Sequence, residues 1–175
     1  MRVLQIAIRL VIALATLALS TADCVVAPQG VESPTCCESA CATLTSALRN
    51  VGTGPASITV RAGVYRLLTP VIVDKQSVTI QGRGVVILAP SSNTAGRPLL
   101  QFRNARVDLV NLQFHNASAA AVQLQLTEPQ LPSVQHRISN CEFRRNNGSL
   151  FQAGAFEVTS DAALVAHSFL VEDSR

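Results

Sequence analysis

Thiols are the residues in this chain whose crowding first suggests chemistry. Cys36, Cys37 and Cys41 lie within one short segment, Cys24 precedes them, and Cys141 stands far away. Cysteines at such spacing either hold a metal or form disulfides. Three thiolates without a neighbouring His or a second cluster make a poor zinc site. Cys24, Cys36, Cys37 and Cys41 are therefore expected to form disulfides, stapling a helix to the loop around Cys24. Five is an odd number, so one thiol stays single, pairs with another chain, or pairs with a cysteine outside this sequence. Cys141 reads as a small buried residue on a strand.

The other chemical groups are sparser. His115, His136 and His167 lack metal-ligand spacing and accompany no Ser or Cys motif, so they read as surface or loop residues. Asp74, Asp108 and Asp161 are scattered, whereas calcium needs several converging oxygens. Arg103, Arg106, Arg144 and Arg145 would line one face if the strands carrying them stack. A row of guanidinium groups suits the carboxylates or sulfates of an acidic polysaccharide, and equally suits an exposed strand that must not pair further. Asn111 and Asn140 sit at equivalent points of a repeat, where stacked amides would hydrogen-bond the turn backbone. Asn116 and Asn147 each begin a glycosylation sequon, Asn-Ala-Ser and Asn-Gly-Ser.

The repeat positions these residues. Val107–Asn116 (VDLVNLQFHN) alternates apolar and polar residues, reaches Asn111, and resumes with Leu112 and Phe114. The same pattern returns at His136–Asn146, which places Ile138 on Leu109, Asn140 on Asn111 and Phe143 on Phe114. A weaker copy upstream places Ile80 on Leu109. One such unit cannot bury its apolar face alone, so copies at one period imply stacked layers. From Ser57 onward, short apolar runs alternate and are broken by Gly, Asn and Pro, which predicts an all-β domain over 55–175. An immunoglobulin-like sandwich is disfavoured, because the repeat is internal and the chain has no Trp. Residues 23–34 read as a lead-in loop. A capping helix is expected after Thr35, whose capping box would use Glu38, with Ala40, Leu44, Ala47, Leu48 and Val51 on one face.

Residues 1–22 carry Arg2 and Arg9, an apolar run over Leu10–Leu19, and the small residues Ser20-Thr21-Ala22. That is the pattern of a secretory signal cut after Ala22, with an uncleaved signal anchor as the alternative. No later segment is apolar and long enough to span a membrane. Of 14 basic residues, Arg2 and Arg9 belong to this segment; the rest nearly balance the 11 acidic ones, which argues against nucleic acid as a partner. The final residues, Val171–Arg175, read as the start of another repeat, so the sequence is expected to be a fragment.

The run Ile58-Thr-Val-Arg-Ala-Gly63-Val-Tyr65, then Val78-Thr-Ile80-Gln-Gly82-Arg-Gly84, then Val107–Asn116, resembles the opening of the right-handed parallel β-helix (pectin-lyase-like) superfamily. The segment Ile138–Asn146 is similar to the I-x-N-C-x-F-x-x-N repeats of right-handed β-helix proteins. The resemblance covers roughly 55–175 and implies the fold rather than one activity. Lyases of that group imply clustered Asp ligands for calcium and an Arg base. Its hydrolases imply Asn-x-Asp, Asp-Asp and Gly-His-Gly motifs, none of which occurs here. Its methylesterases resemble the opening Gly63-Val-Tyr65 and Val78–Gly84, but their Glu after the Tyr is replaced by Arg66-Leu67. Gly82 and Gly84 read as turn glycines, not as a phosphate loop, since no helix follows. The reading is a secreted or extracellular β-helix module that binds polysaccharide or serves as structure, without a catalytic centre or resident cofactor. The alternative is a polyuronate-active lyase or esterase, with calcium if lyase-like, whose site lies in later repeats or around Asp108 and the arginines. A repeat adhesin or autotransporter passenger is a third, less favoured reading.

Overall fold

A computed structural model describes residues 22–74, 77–91, 96–126, 135–146, 156–160 and 168–172, the last two segments and residue 126 almost entirely as backbone. The expected signal segment lies outside these residues except for Ala22, as do the expected strand over 149–152 and part of that over 163–171.

The described strands fall into two sheets, and their pairing is parallel throughout. The larger sheet begins with β1 (Ala22–Val31), β2 (Ala56–Leu67) and β4 (Ser77–Pro90). It continues through β6 (Arg106–Val110), β9 (Gln135–Ser139) and β12 (Ser168–Glu172), with β7 (Gln113–His115) and β10 (Glu142–Arg144) alongside. The smaller sheet orders β11 (Phe156–Ser160), β8 (Val122–Leu126), β5 (Leu100–Arg103) and β3 (Val71–Val73). From β2 onward the described chain therefore visits the sheets in alternation and adds each new strand beside its counterpart in the preceding repeat.

The predicted registers are present. Ile80 pairs with Leu109, Leu109 with Ile138, and Phe114 with Phe143. Alternation explains why: Val107 and Leu109 are buried while Asp108 and Val110 are partly exposed, so a slip of one residue would turn every apolar side chain outward. Val71, Val73, Leu100, Phe102, Val122 and Leu124 supply the facing side of the core from the smaller sheet. Each such fully buried side chain stabilises the fold by about 1.5–3 kcal/mol.

Two strands are longer than the sequence suggests. Ala62-Gly63 does not end β2, and Gly82-Arg-Gly84 does not end β4; the two strands pair along their length with a register shift between Arg61 and Gly63. The next repeats break at the corresponding point. Asn111 separates β6 from β7, and Asn140 separates β9 from β10, so 138–143 is two strands rather than one. Both asparagines are left-handed, with φ of 56° and 49°. Asparagine tolerates that conformation where most residues do not.

The N-terminal region departs most from the sequence reading. Residues 23–34, expected as a loop, are largely strand β1, which pairs with β2 from Ala22–Ala56 to Val26–Val60. The capping box at Thr35 and Glu38 does not form; a single 3-10 turn covers Cys36–Glu38, and the Thr35 side chain makes no capping bond. The helix, α1, runs only over Leu44–Asn50 and is capped by Thr43, whose Oγ1 accepts from the Ser46 N–H at 3.2 Å. The cysteines are the reason. A disulfide joins Cys36 to Cys41 with Cα atoms 4.8 Å apart. Five residues of α-helix rise about 7.5 Å, so a helix through both cysteines cannot close that bond. Cys41 instead bridges to Val26 and Val31. The predicted apolar face is otherwise correct: Leu44, Ala47, Leu48 and Val51 are buried.

Candidate functional site

The breaks at Asn111 and Asn140 create a notch on the outside of the larger sheet. Its volume is about 420 Å³, its walls run from Gly84 to Val86, and Asn111, Gln113, Asn140 and Glu142 supply polar groups. Left-handed backbone turns the chain at each asparagine, and the amides then meet across repeats. Asn140 Nδ2 donates to Asn111 Oδ1 at 2.8 Å, and Asn111 Nδ2 reaches the Gly82 carbonyl at 3.5 Å. The backbone continues the connection: Asn111 N–H donates to Ser139 O, and Asn140 N–H to Glu172 O.

Asn111→Ala is expected to cost about 2 kcal/mol, from a left-handed alanine and a lost amide bond together. Asn111→Gly keeps the backbone freedom and should lose only about 1 kcal/mol. Urea unfolding of both variants checks this; an unchanged Asn111→Gly would mean that the amide ladder contributes nothing, and equal losses would mean that the left-handed backbone costs alanine nothing.

Glu142 lies on the same notch. Its residue is buried, its N–H donates to Leu112 O at 2.9 Å, and its carboxylate pairs with the Arg144 guanidinium. Pairing is what lets a carboxylate sit there, because an unpaired buried charge is costly. Cys141 is the next wall residue. It belongs to neither disulfide, and burial pushes its thiol above the usual range, opposed by contacts with backbone groups.

The four arginines do not form one row. Arg103 ends β5 on the smaller sheet, and Arg106 begins β6 on the larger one. Arg103 lies 4.0 Å from Asp74, and Arg106 lies 3.5 Å from Asp108. Arg145 is not a strand residue at all: with φ of 53° it occupies the left-handed turn that Asn116 occupies one repeat earlier. Three of the four guanidinium groups thus already face carboxylates.

Calcium fits the described residues poorly. Asp74 follows β3 of the smaller sheet, Asp108 lies on β6 of the larger one, and Asp161 lies outside the described residues. Asp108 Oδ1 is buried without a hydrogen bond, but one such oxygen beside an arginine is far from the six or more that calcium takes. Among the described residues, Cys24, Cys37 and Cys41 are grouped closely enough to suggest a metal site, but their sulfurs belong to disulfides. His136, expected at the surface, is 1% exposed on β9, inward because it alternates with Arg137 beside Ile138. His115 is half-buried on β7, and His167 lies outside the described residues.

Several participants escaped sequence reasoning. Asn146 forms a second cross-repeat contact: its Oδ1 accepts from Ala117 N–H at 2.9 Å, and its Nδ2 donates to Phe114 O at 3.1 Å. Its separation of 29 residues from Ala117 equals that of Asn140 from Asn111, a signal the sequence did carry. Gln101 Nε2 donates to Gln123 Oε1 at 2.9 Å across the smaller sheet. Of the two sequons, Asn116 is exposed at a left-handed turn after β7, with Ser118 Oγ accepting from Gly96 N–H at 2.9 Å. Asn147 lies outside the described residues.

Comparisons with protein-family models, with curated proteins and with solved structures find no match to this chain. The candidate site therefore rests on its geometry alone.

Proposed function

We propose that this chain is a secreted right-handed parallel β-helix module of the pectin-lyase-like kind, and that it binds a linear polysaccharide along the amide notch. What supports the architecture is the in-register parallel stacking of repeats in two alternating sheets. The single observation behind the binding role is the convergence of Asn111, Gln113, Asn140 and Glu142 on one open notch that crosses successive repeats. Amides carry more donors and acceptors than the ladder uses, and Asn140 spends only one of its two donors on Asn111. Hydroxyl-rich chains are recognised by such groups. Because three candidate arginines already pair with carboxylates, hydroxyl recognition leads and anion recognition is secondary.

The test uses the full chain, shown to be folded, on polygalacturonan, methylated pectin and a neutral polysaccharide, with and without calcium. Retention, unsaturated product, reducing ends and released methanol are followed together. Retention without product is expected. Gln113→Ala, at a partly exposed position, should weaken binding by about tenfold, the equivalent of one or two hydrogen bonds. Calcium-dependent product would overturn this reading in favour of a polyuronate lyase, and absence of retention on every polymer would leave a structural module.

A further inference from the structure

The four N-terminal cysteines are packed more tightly than two separate staples require. Disulfides join Cys24 to Cys37 and Cys36 to Cys41. Across the two bonds, Cys24 Sγ lies 3.4 Å from Cys41 Sγ, and Cys37 Sγ lies 3.9 Å from it. A separation near 3–3.5 Å is that of reacting atoms already in contact. The four differ in access and in surroundings. Cys24, Cys36 and Cys41 are buried, and Cys37 is partly exposed. Asn50 Nδ2 lies 3.0 Å from Cys36 Sγ and shares its two hydrogens among that sulfur, Ser33 O and Ser46 O. Cys24 Sγ faces the carbonyl of Val25, which cannot donate.

We propose that these disulfides form an exchange relay, in which a small thiol captured at Cys37 liberates the buried Cys36 thiolate. In the first step an external thiolate attacks Cys37 Sγ. A mixed disulfide forms at Cys37, the Cys24–Cys37 bond breaks, and its electron pair stays on Cys24 Sγ. In the second step the Cys24 thiolate attacks Cys41 Sγ. The Cys24–Cys41 bond forms, the Cys36–Cys41 bond breaks, and the pair passes to Cys36 Sγ. One external thiolate is consumed and one protein thiolate appears, so electrons balance without another oxidant or reductant.

The direction follows from what surrounds each sulfur. Burial disfavours a thiolate at Cys24 and at Cys36 alike. The Asn50 amide favours the charge at Cys36, because a hydrogen bond to the ionised form stabilises it. The new bond also fits the fold. Cys41 already bridges β1 at Val26 and Val31, so a Cys24–Cys41 link keeps β1 attached while the 36–38 turn is released. This role concerns the N-terminal end and does not depend on the polysaccharide reading.

The experiment exposes the folded, oxidised full chain to reduced glutathione. The reaction is quenched in acid, free thiols are trapped with N-ethylmaleimide in denaturant, and peptides are mapped. Cys141, in neither disulfide, is trapped in every sample and serves as the reference. Expected are glutathione on Cys37, maleimide on Cys36 and a Cys24–Cys41 disulfide. Maleimide on Cys24 with Cys36–Cys41 intact would overturn the relay, as would glutathione on any other cysteine or its failure to add while the chain stays folded. Asn50→Ala should lower the ratio of trapped Cys36 to trapped Cys24 by about tenfold, the effect of one hydrogen bond to a charged group. An unchanged ratio in a folded variant would overturn the part assigned to Asn50, and the wild-type pattern decides the relay even if that variant does not fold.

Discussion

Phe114→Ala is expected to destabilise the protein by about 3–5 kcal/mol, the range for a large aromatic removed from a packed core. Phe114 is fully buried, and its repeat neighbours on either side are Leu88 and Phe143. Its ring stacks on that of Phe143 with centroids 5.0 Å apart and planes 11° from parallel. Removing it leaves a cavity between layers whose spacing is set by backbone hydrogen bonds and cannot collapse. Phe143, partly exposed at the outer side of the pair, should cost clearly less. Denaturant unfolding of both variants provides the comparison, read from the midpoint at unchanged slope. A loss below about 1 kcal/mol for Phe114→Ala would mean that the aromatic stack is not part of the stabilising core.

Gly82→Ala is expected to cost about 3 kcal/mol, at the upper end of ordinary overpacking. A Cβ at Gly82 would lie 2.1 Å from the backbone carbonyl oxygen of Asn111 and 3.2 Å from Val86 Cγ2. The conflict is backbone against side chain. Relief requires moving either β4, paired with β6 from Ser77 to Gln81, or the left-handed turn at Asn111. Gly54→Ala is the control, since nothing lies within 4 Å of its Cβ position. It should change stability by no more than about 0.5 kcal/mol. Comparable effects of the two substitutions would show that the close approach at Gly82 is not maintained in solution. The same prediction bears on the notch, because Gly82 is where the Asn111 amide meets the preceding repeat.

The two predictions draw on different kinds of information. Phe114 is legible in the sequence: its place in VDLVNLQFHN and the return of Phe143 in the next copy fix both its inward direction and its partner. Asn111 and Asn140 were legible for the same reason. Gly82 reads in the sequence as a turn glycine because Gly-x-Gly marks turns locally, whereas its actual requirement comes from a carbonyl in another repeat. The arginines misled in a related way. Strand spacing suggested a row, but Arg103 and Arg106 lie on different sheets, and Arg145 took a left-handed turn.

The sequence by itself determined that this is a mostly β protein of stacked parallel repeats, and which residues of neighbouring repeats pair. Period-two alternation selects the buried face, and a repeat of constant length selects the register, so both are local properties of the chain. Only the tertiary structure decided the pairing of Cys24, Cys36, Cys37 and Cys41, since four cysteines allow three pairings that spacing does not rank. It also decided that Thr43 rather than Thr35 caps the helix, that Glu142 is buried against Arg144, and that Asn111, Gln113 and Asn140 converge on one notch. Each of these depends on which segments the stacking brings together, and the energy of such contacts is absent from any one stretch of sequence.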